Sequence, residues 1–322
     1  HLLGYRAGTL ANLFVALWTA KILHKYLAGE AVSIKMKWFL VLLIISSEYF
    51  LMEINSYLVD LLSIPLLLEA VWLISNIESI KNKNYYAIHI VFLLGMAIAL
   101  KLTNLAFVIP ILAFLALTLR KTTIRFSMKT VVVSISVFLF PIIPYSIYMY
   151  MQTANPLFPF YNEIFRSPYW PLSNFRDLRF LPKNAIELIL WPVIAFMHPE
   201  RVSEIPFYSG RLALTFVVLG GSLLLQNRKH LFTYIWLSGV LLWAATTGHI
   251  RYALFPEILG GIILARVFIK GRLIANNLSS KLLAAAIAVI TLFQVAIAYA
   301  VVYRCDWGLR PIIFGNAAEH IH

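Results

Sequence analysis

A chain of 322 residues that is 61% hydrophobic and only 13% charged, with mean hydropathy +0.81, carries more apolar surface than a soluble domain of this size can bury. Its formal net charge of +13 would suit nucleic acid, but the Lys and Arg residues sit in short clusters between apolar runs. That is the pattern of membrane topology determinants, so nucleic acid is excluded as a partner and a polytopic, all-α transmembrane bundle is expected.

Hydrocarbon about 30 Å thick calls for roughly 20 helical residues per crossing. About ten segments approach this length, at residues 8–27, 37–54, 57–75, 86–100, 103–119, 130–151, 209–226, 231–247, 251–268 and 282–302, within a single domain covering 1–322. Few polar residues separate neighbouring segments, which predicts tight antiparallel helical hairpins. The loops with Lys35 and Lys37, Lys81 and Lys83, Arg120, Lys121, Arg125 and Lys129, Arg228 and Lys229, and Lys270, Arg272 and Lys281 fall on one side. By the positive-inside rule that side is cytoplasmic, and the chemistry is expected on the other, facing the periplasm or exterior of a bacterial plasma membrane.

Residues 152–208 form the one long non-spanning stretch, with aromatic residues and prolines interleaved with cations. Such density predicts an ordered outer loop at the headgroup level, and residues 185–198, apolar but short and interrupted by Pro192, predict an interfacial or re-entrant helix. The single cysteine, Cys305, allows no internal disulfide. The chain opens on His1 with no recognisable leader, so a fragment is expected.

Isolated polar residues in an apolar chain need a reason to be there. Glu48, Glu53 and Asp60 cluster at the second outer turn, where a carboxylate faces water, a cation or a metal, or simply favours a helix N-terminus. Lys101 stands alone at a hairpin tip, and Arg251 lies in a polar break beside His249 and Tyr252, ahead of Pro256. A cation at the membrane edge either snorkels to headgroups or meets a phosphate. Arg176, Asp177 and Arg179 read first as pairing with one another, and His1, His320 and His322 offer no preformed metal cage. No dinucleotide-binding glycine motif, P-loop, nucleophile elbow or His-Glu-x-x-His sequence is present.

Short basic inner loops, the acidic turn ending at Asp60, the Lys101-x-Thr103 hairpin tip, the string Asn155-Pro156-Leu157-Phe158-Pro159-Phe160-Tyr161-Asn162 and the Arg251-Tyr252-x-x-x-Pro256 pattern together resemble the GT-C membrane glycosyltransferases. The bacterial branch similar to dolichyl-phosphate-mannose protein mannosyltransferases is the nearest in pattern. The resemblance implies inverting transfer of a sugar from a polyprenyl-phosphate donor to a glycan, lipid or protein acceptor of the cell envelope. Membrane lipids would be its other partners. It implies a supporting catalytic role for Asp60 and Glu53, donor-phosphate binding by Arg251, Tyr252, Lys101 and His249, and acceptor or loop contacts from Arg176, Arg179 and Tyr161. The family's usual base lies in a loop after a first helix, which is expected to precede His1; a divalent ion, Mg or Mn, is the one cofactor the resemblance leaves open. A transporter or lipid-linked sugar flippase is the alternative from another class, and an O-antigen ligase or polymerase a third reading.

Overall fold

A computed structural model describes residues 6–54, 59–79, 81–121, 127–175, 177–204, 208, 210–225, 231–273 and 278–302. These residues are all-α with no strand: α1 Arg6–Tyr26, α2 Ile34–Ile45, α3 Glu48–Ile54, α4 Asp60–Asn76, α5 Lys83–Leu100, α6 Leu105–Lys121, α7 Met128–Leu139, α8 Ile143–Thr153, α9 Asn162–Phe165, α10 Ala185–Met197, α11 Gly210–Leu225, α12 Leu231–Thr246, α13 Leu254–Leu273 and α14 Leu278–Val302. Arg176, Cys305, His1, His320, His322 and the basic residues Arg125, Arg228 and Lys229 lie outside the described residues.

Among the described residues four helical stretches are long and apolar enough to cross a membrane, Asp60–Ser79, Lys83–Leu100, Leu102–Arg120 and Ile250–Lys270, and α7 with α8 makes a fifth if that bent pair counts as one. The expectation of about ten crossings is therefore met only in part. At 1.5 Å per residue the 16 residues of α12 reach about 24 Å, short of the hydrocarbon thickness.

Two expected spans are broken. Residues 37–54 divide at Ser46, whose backbone leaves the helical region while its hydroxyl donates to the Leu42 carbonyl at 2.6 Å. Ser47 then caps α3 by accepting from Phe50 N. The freed carbonyls at the end of α2 are taken by a side chain from elsewhere: Arg211 donates to the Ile44 carbonyl at 2.5 Å and the Leu43 carbonyl at 2.9 Å, setting a cation against the negative end of the helix. Residues 130–151 bend by 51° between α7 and α8, where Pro141 and Pro144 withhold backbone donors.

The core lies where α4 packs against α1, α5 and α13, with α6 against α12. Alternating helix direction gathers the ends of α3, α5 and α12 and the starts of α1, α4, α6 and α13 at one end of the bundle. Hydrogen bonds tie these together, including Asn12 Nδ2 to the Glu53 carbonyl at 2.7 Å and Ser63 Oγ to Asn104 Oδ1 at 3.4 Å. The opposite end receives the C-terminal ends of α1, α4 and α13 and the starts of α2 and α5. There Arg266 donates to the Tyr26 carbonyl and pairs with Glu30.

Candidate functional site

At the first of these ends three separate turns bring their charges together. Asp60 opens α4, where the helix N-terminus favours a carboxylate, and it is only 5% exposed. One of its oxygens accepts from Lys101 Nζ; the other accepts from Arg251 Nε at 2.9 Å and Nη2 at 2.8 Å. Glu53, buried at the end of α3, places Oε1 3.9 Å from Arg251 Nε. The Tyr252 ring lies under both cations, its centroid 4.1 Å from Lys101 Nζ and 5.9 Å from the Arg251 guanidinium carbon. Two cations and two carboxylates thus share a desolvated corner, where each would be expensive alone.

Local sequence fixes each cation. Lys101 leaves α5 in extended backbone, and Asn104 steadies the turn by donating to the Ala97 carbonyl at 2.8 Å. The Arg251 turn is built from Gly248 and His249. Gly248 ends α12 with φ +59°, and a side chain there would run into the Phe180 backbone carbonyl. Trp191 and Trp243 donate ring N–H groups to the Gly248 and His249 carbonyls at 3.2 and 2.9 Å. Ile250 N reaches back to the Val202 carbonyl at 2.9 Å.

His249 joins the turn to the outer loop. Its Nδ1 accepts from the Arg251 backbone N–H at 3.1 Å, so the ring proton belongs on Nε2, which donates to Glu204 Oε2 at 3.0 Å. This neutral tautomer satisfies both contacts, whereas a protonated ring would face the Arg251 N–H with a second donor. Burial against Phe180, whose ring centroid is 4.5 Å away, holds the imidazole below its ordinary value despite the pull of Glu204. Glu204 also accepts from Arg179 at 3.1 Å, and Arg179 grips Asp177 with both sides of its fork, at 3.0 and 2.7 Å. That hydrogen bond keeps the Asp177 carboxyl below its usual range, as the His249 contact does for Glu204.

Of the residues singled out from sequence, the structure therefore brings together Glu53, Asp60, Lys101, His249, Arg251 and Tyr252, with Arg179 linked through Glu204. Tyr161 is 47% exposed, and among the described residues its side chain makes no hydrogen bond or ring contact with this cluster. The string from Asn155 to Asn162 is a scaffold. The Asn155 amide donates to the Phe160 carbonyl at 2.9 Å, and Asn162, fully buried, donates to the carbonyls of Ser167, Trp170 and Pro171. Phe158, Phe160, Trp170 and Phe175 stack edge to face around it.

Sequence reasoning overlooked Glu204, Phe180 and Trp191, which are joined to the Arg251 turn only by contacts across more than forty residues. It also overlooked Arg211 and Glu257, both buried below the cluster, where Gln294 approaches Glu257 at 3.4 Å. Only the isolation of Arg211 in an apolar run hinted at its importance.

Chemically, the cluster offers fixed positive charge next to buried carboxylate. Arg251 is 31% exposed, and its Nη1 has no acceptor among the described residues, so it is the group able to receive an anionic oxygen. Cations take up both oxygens of Asp60, so its surroundings as built do not fit a divalent ion. Among the described residues no three His, Cys, Asp or Glu side chains converge as a metal site would need. Compared with family models, curated proteins and solved structures, the chain matches none.

Proposed function

We propose that the chain is an integral membrane glycosyltransferase that moves a sugar from a polyprenyl-phosphate carrier to a cell-envelope acceptor on the outer side of the plasma membrane. The observation that carries this reading is the pairing of Arg251 and Lys101 on one carboxylate at the edge of an apolar helical bundle. In such a reaction negative charge grows on the phosphate as the glycosidic bond breaks, and prepositioned donors in a partly dry site stabilise it without reorganising. Arg251 Nη1 would receive the phosphate, Lys101 would add charge behind it, and Asp60 would hold both in register, a positioning part. Glu53 is the carboxylate beside them that would orient an acceptor; the base itself is assigned to none of these residues.

Membrane embedding is supported by large apolar side chains left bare around the bundle, including Phe14 on α1, Met128 on α7 and Phe293 on α14. In this reading α1, α11, α12 and α14 join the four stretches named above and the bent α7–α8 pair in completing about ten crossings. The half-helices α2 and α3 count as one of them, with Lys35, Lys37, Lys81 and Lys83 inside.

One observation favours a transporter instead: Arg211, Glu48 and Glu257 are buried polar groups inside the bundle, the sort of groups that line a pathway. The two readings part in proteoliposomes loaded with radiolabelled sugar-linked polyprenyl phosphate and acceptor. A transferase releases free polyprenyl phosphate in proportion to sugar transferred, and Arg251→Ala abolishes that release. A transporter carries the intact donor across with none released, which would overturn the proposal.

A further inference from the structure

On the flank of the bundle, α1, α4 and α5 form an open cleft of about 430 Å³ that runs from Leu66 and Met96 towards the end away from Arg251. Its polar lining is Lys21 and Lys25 from α1, Glu69 from α4 and His89 from α5; Trp18 and Phe92 supply apolar wall. Lys25 is fixed there, bonded to both Glu69 oxygens at 3.0 and 3.2 Å, with its ammonium 4.9 Å from the Trp72 ring centroid. Lys21, one turn earlier on the same face, is exposed and has no hydrogen bond or ion pair among the described residues. Tyr85 stacks parallel to His89, ring centroids 6.4 Å apart. Lys25 and Glu69 neutralise one another, so the cleft presents the charge of Lys21 unmatched.

Leading from the cleft along α1 runs an exposed apolar stripe, Leu10, Leu13, Phe14, Leu17 and Trp18, between 43 and 69% exposed. From Leu10 to Lys21 is about 16 Å of helix, close to half a hydrocarbon layer and to the length of an extended acyl chain. A cation in a recess at the foot of an apolar stripe of that length matches an amphiphile with an anionic head and a hydrocarbon tail. We propose that this cleft is a binding site for an anionic phospholipid of the cytoplasmic leaflet, its phosphate on Lys21 and its chain lying along α1. The inference rests on the membrane embedding proposed above and is independent of the glycosyl-transfer reading. A free phosphate shares the head chemistry but has nothing to lay along the stripe.

The test is native mass spectrometry of the detergent-purified protein titrated with phosphatidylglycerol or phosphatidylcholine, for the wild type, Lys21→Gln and, as an exposed cation elsewhere, Lys129→Gln. Helical circular dichroism and gel filtration confirm that each variant is folded. Phosphatidylglycerol should bind the wild type about fivefold more tightly than phosphatidylcholine, the worth of one cation at an anionic lipid. Lys21→Gln should remove that preference, Lys129→Gln should keep it, and millimolar inorganic phosphate should not displace the lipid. Retained preference in Lys21→Gln, equal loss in Lys129→Gln, or displacement by inorganic phosphate would each overturn the site. Flotation with lipid vesicles after alkaline carbonate washing separates the two levels. A protein that fails to float refutes embedding and this site together, whereas one that floats without the lipid preference refutes the site alone.

Discussion

At the Arg251 end of the bundle the carboxylates Glu53 and Asp60 are 2 and 5% exposed and the cations are locked onto them; at the opposite end Lys25 leans on Glu69 with 40% of its side chain exposed, and Lys21 stands open. The same residue types thus do different work according to depth. Where water is excluded, a charge is held only by a partner in fixed geometry, and losing the partner is expensive; where headgroups or water are near, a Lys keeps its hydration and pairing adds little. The buried end can preorganise charge for a reaction, and the open end can only attract it.

The contrast is broken most forcefully by Asp60→Asn, which leaves Arg251 and Lys101 facing each other without their common carboxylate. A loss of about 3 to 5 kcal/mol in stability is expected, measured by denaturant unfolding in detergent. Glu69→Gln at the open end should change it by less than about 1 kcal/mol. Equal losses at the two ends would remove the distinction. Next in size is Gly248→Ala, expected to destabilise by about 2 kcal/mol or more, since the left-handed backbone and the Phe180 carbonyl both resist a methyl group.

A pH series probes the Arg251 end, because His249 is tied by its two ring nitrogens to the Arg251 backbone and to Glu204. Its folded-state affinity for a proton is depressed, so the unfolded chain binds more protons and stability rises with pH. The contribution of His249 to stability is fully present above the ordinary histidine range, is lost as pH falls from about 6.5, and levels off once the folded form is also protonated. His249→Asn keeps a side-chain acceptor for the Arg251 N–H and should flatten the pH dependence of donor binding while leaving binding near pH 8 unchanged. A persistent acid transition in that variant would assign the effect elsewhere. The smallest effect belongs to Arg179→Ala on the exposed rim, which should move the unfolding midpoint by less than about 2 °C.

Much of the Arg251 cluster was legible in the sequence because its members are charged or polar residues at the breaks between apolar runs: Asp60, Lys101, His249 and Arg251. Their mutual contact was not legible in detail, since Asp60 and Arg251 are 191 positions apart and only the alternation of helix direction hints that they meet. Glu204 and Asp177 sit in a polar loop where charges are unremarkable, so nothing local marked Glu204 as the partner of His249. The break at Ser46 was hidden for another reason. Residues 37–54 are apolar enough to read as one crossing, and the group that makes the break tolerable is Arg211, 167 residues away from the Ile44 carbonyl it covers. The sharpest motif, from Asn155 to Asn162, proved to stabilise its own loop, because buried Asn side chains that satisfy several backbone groups are as distinctive in sequence as those that bind a ligand.

In the proposed function Arg251 receives a lipid-linked phosphate. Equilibrium binding of undecaprenyl phosphate to the purified protein in detergent, wild type against Arg251→Ala, tests it most directly. The wild type should bind saturably, and the variant should lose about 1.5 to 3 kcal/mol, the worth of a hydrogen bond to a charged group. Equal, unsaturable uptake by both proteins would contradict it and reduce Arg251 to a structural partner of Asp60.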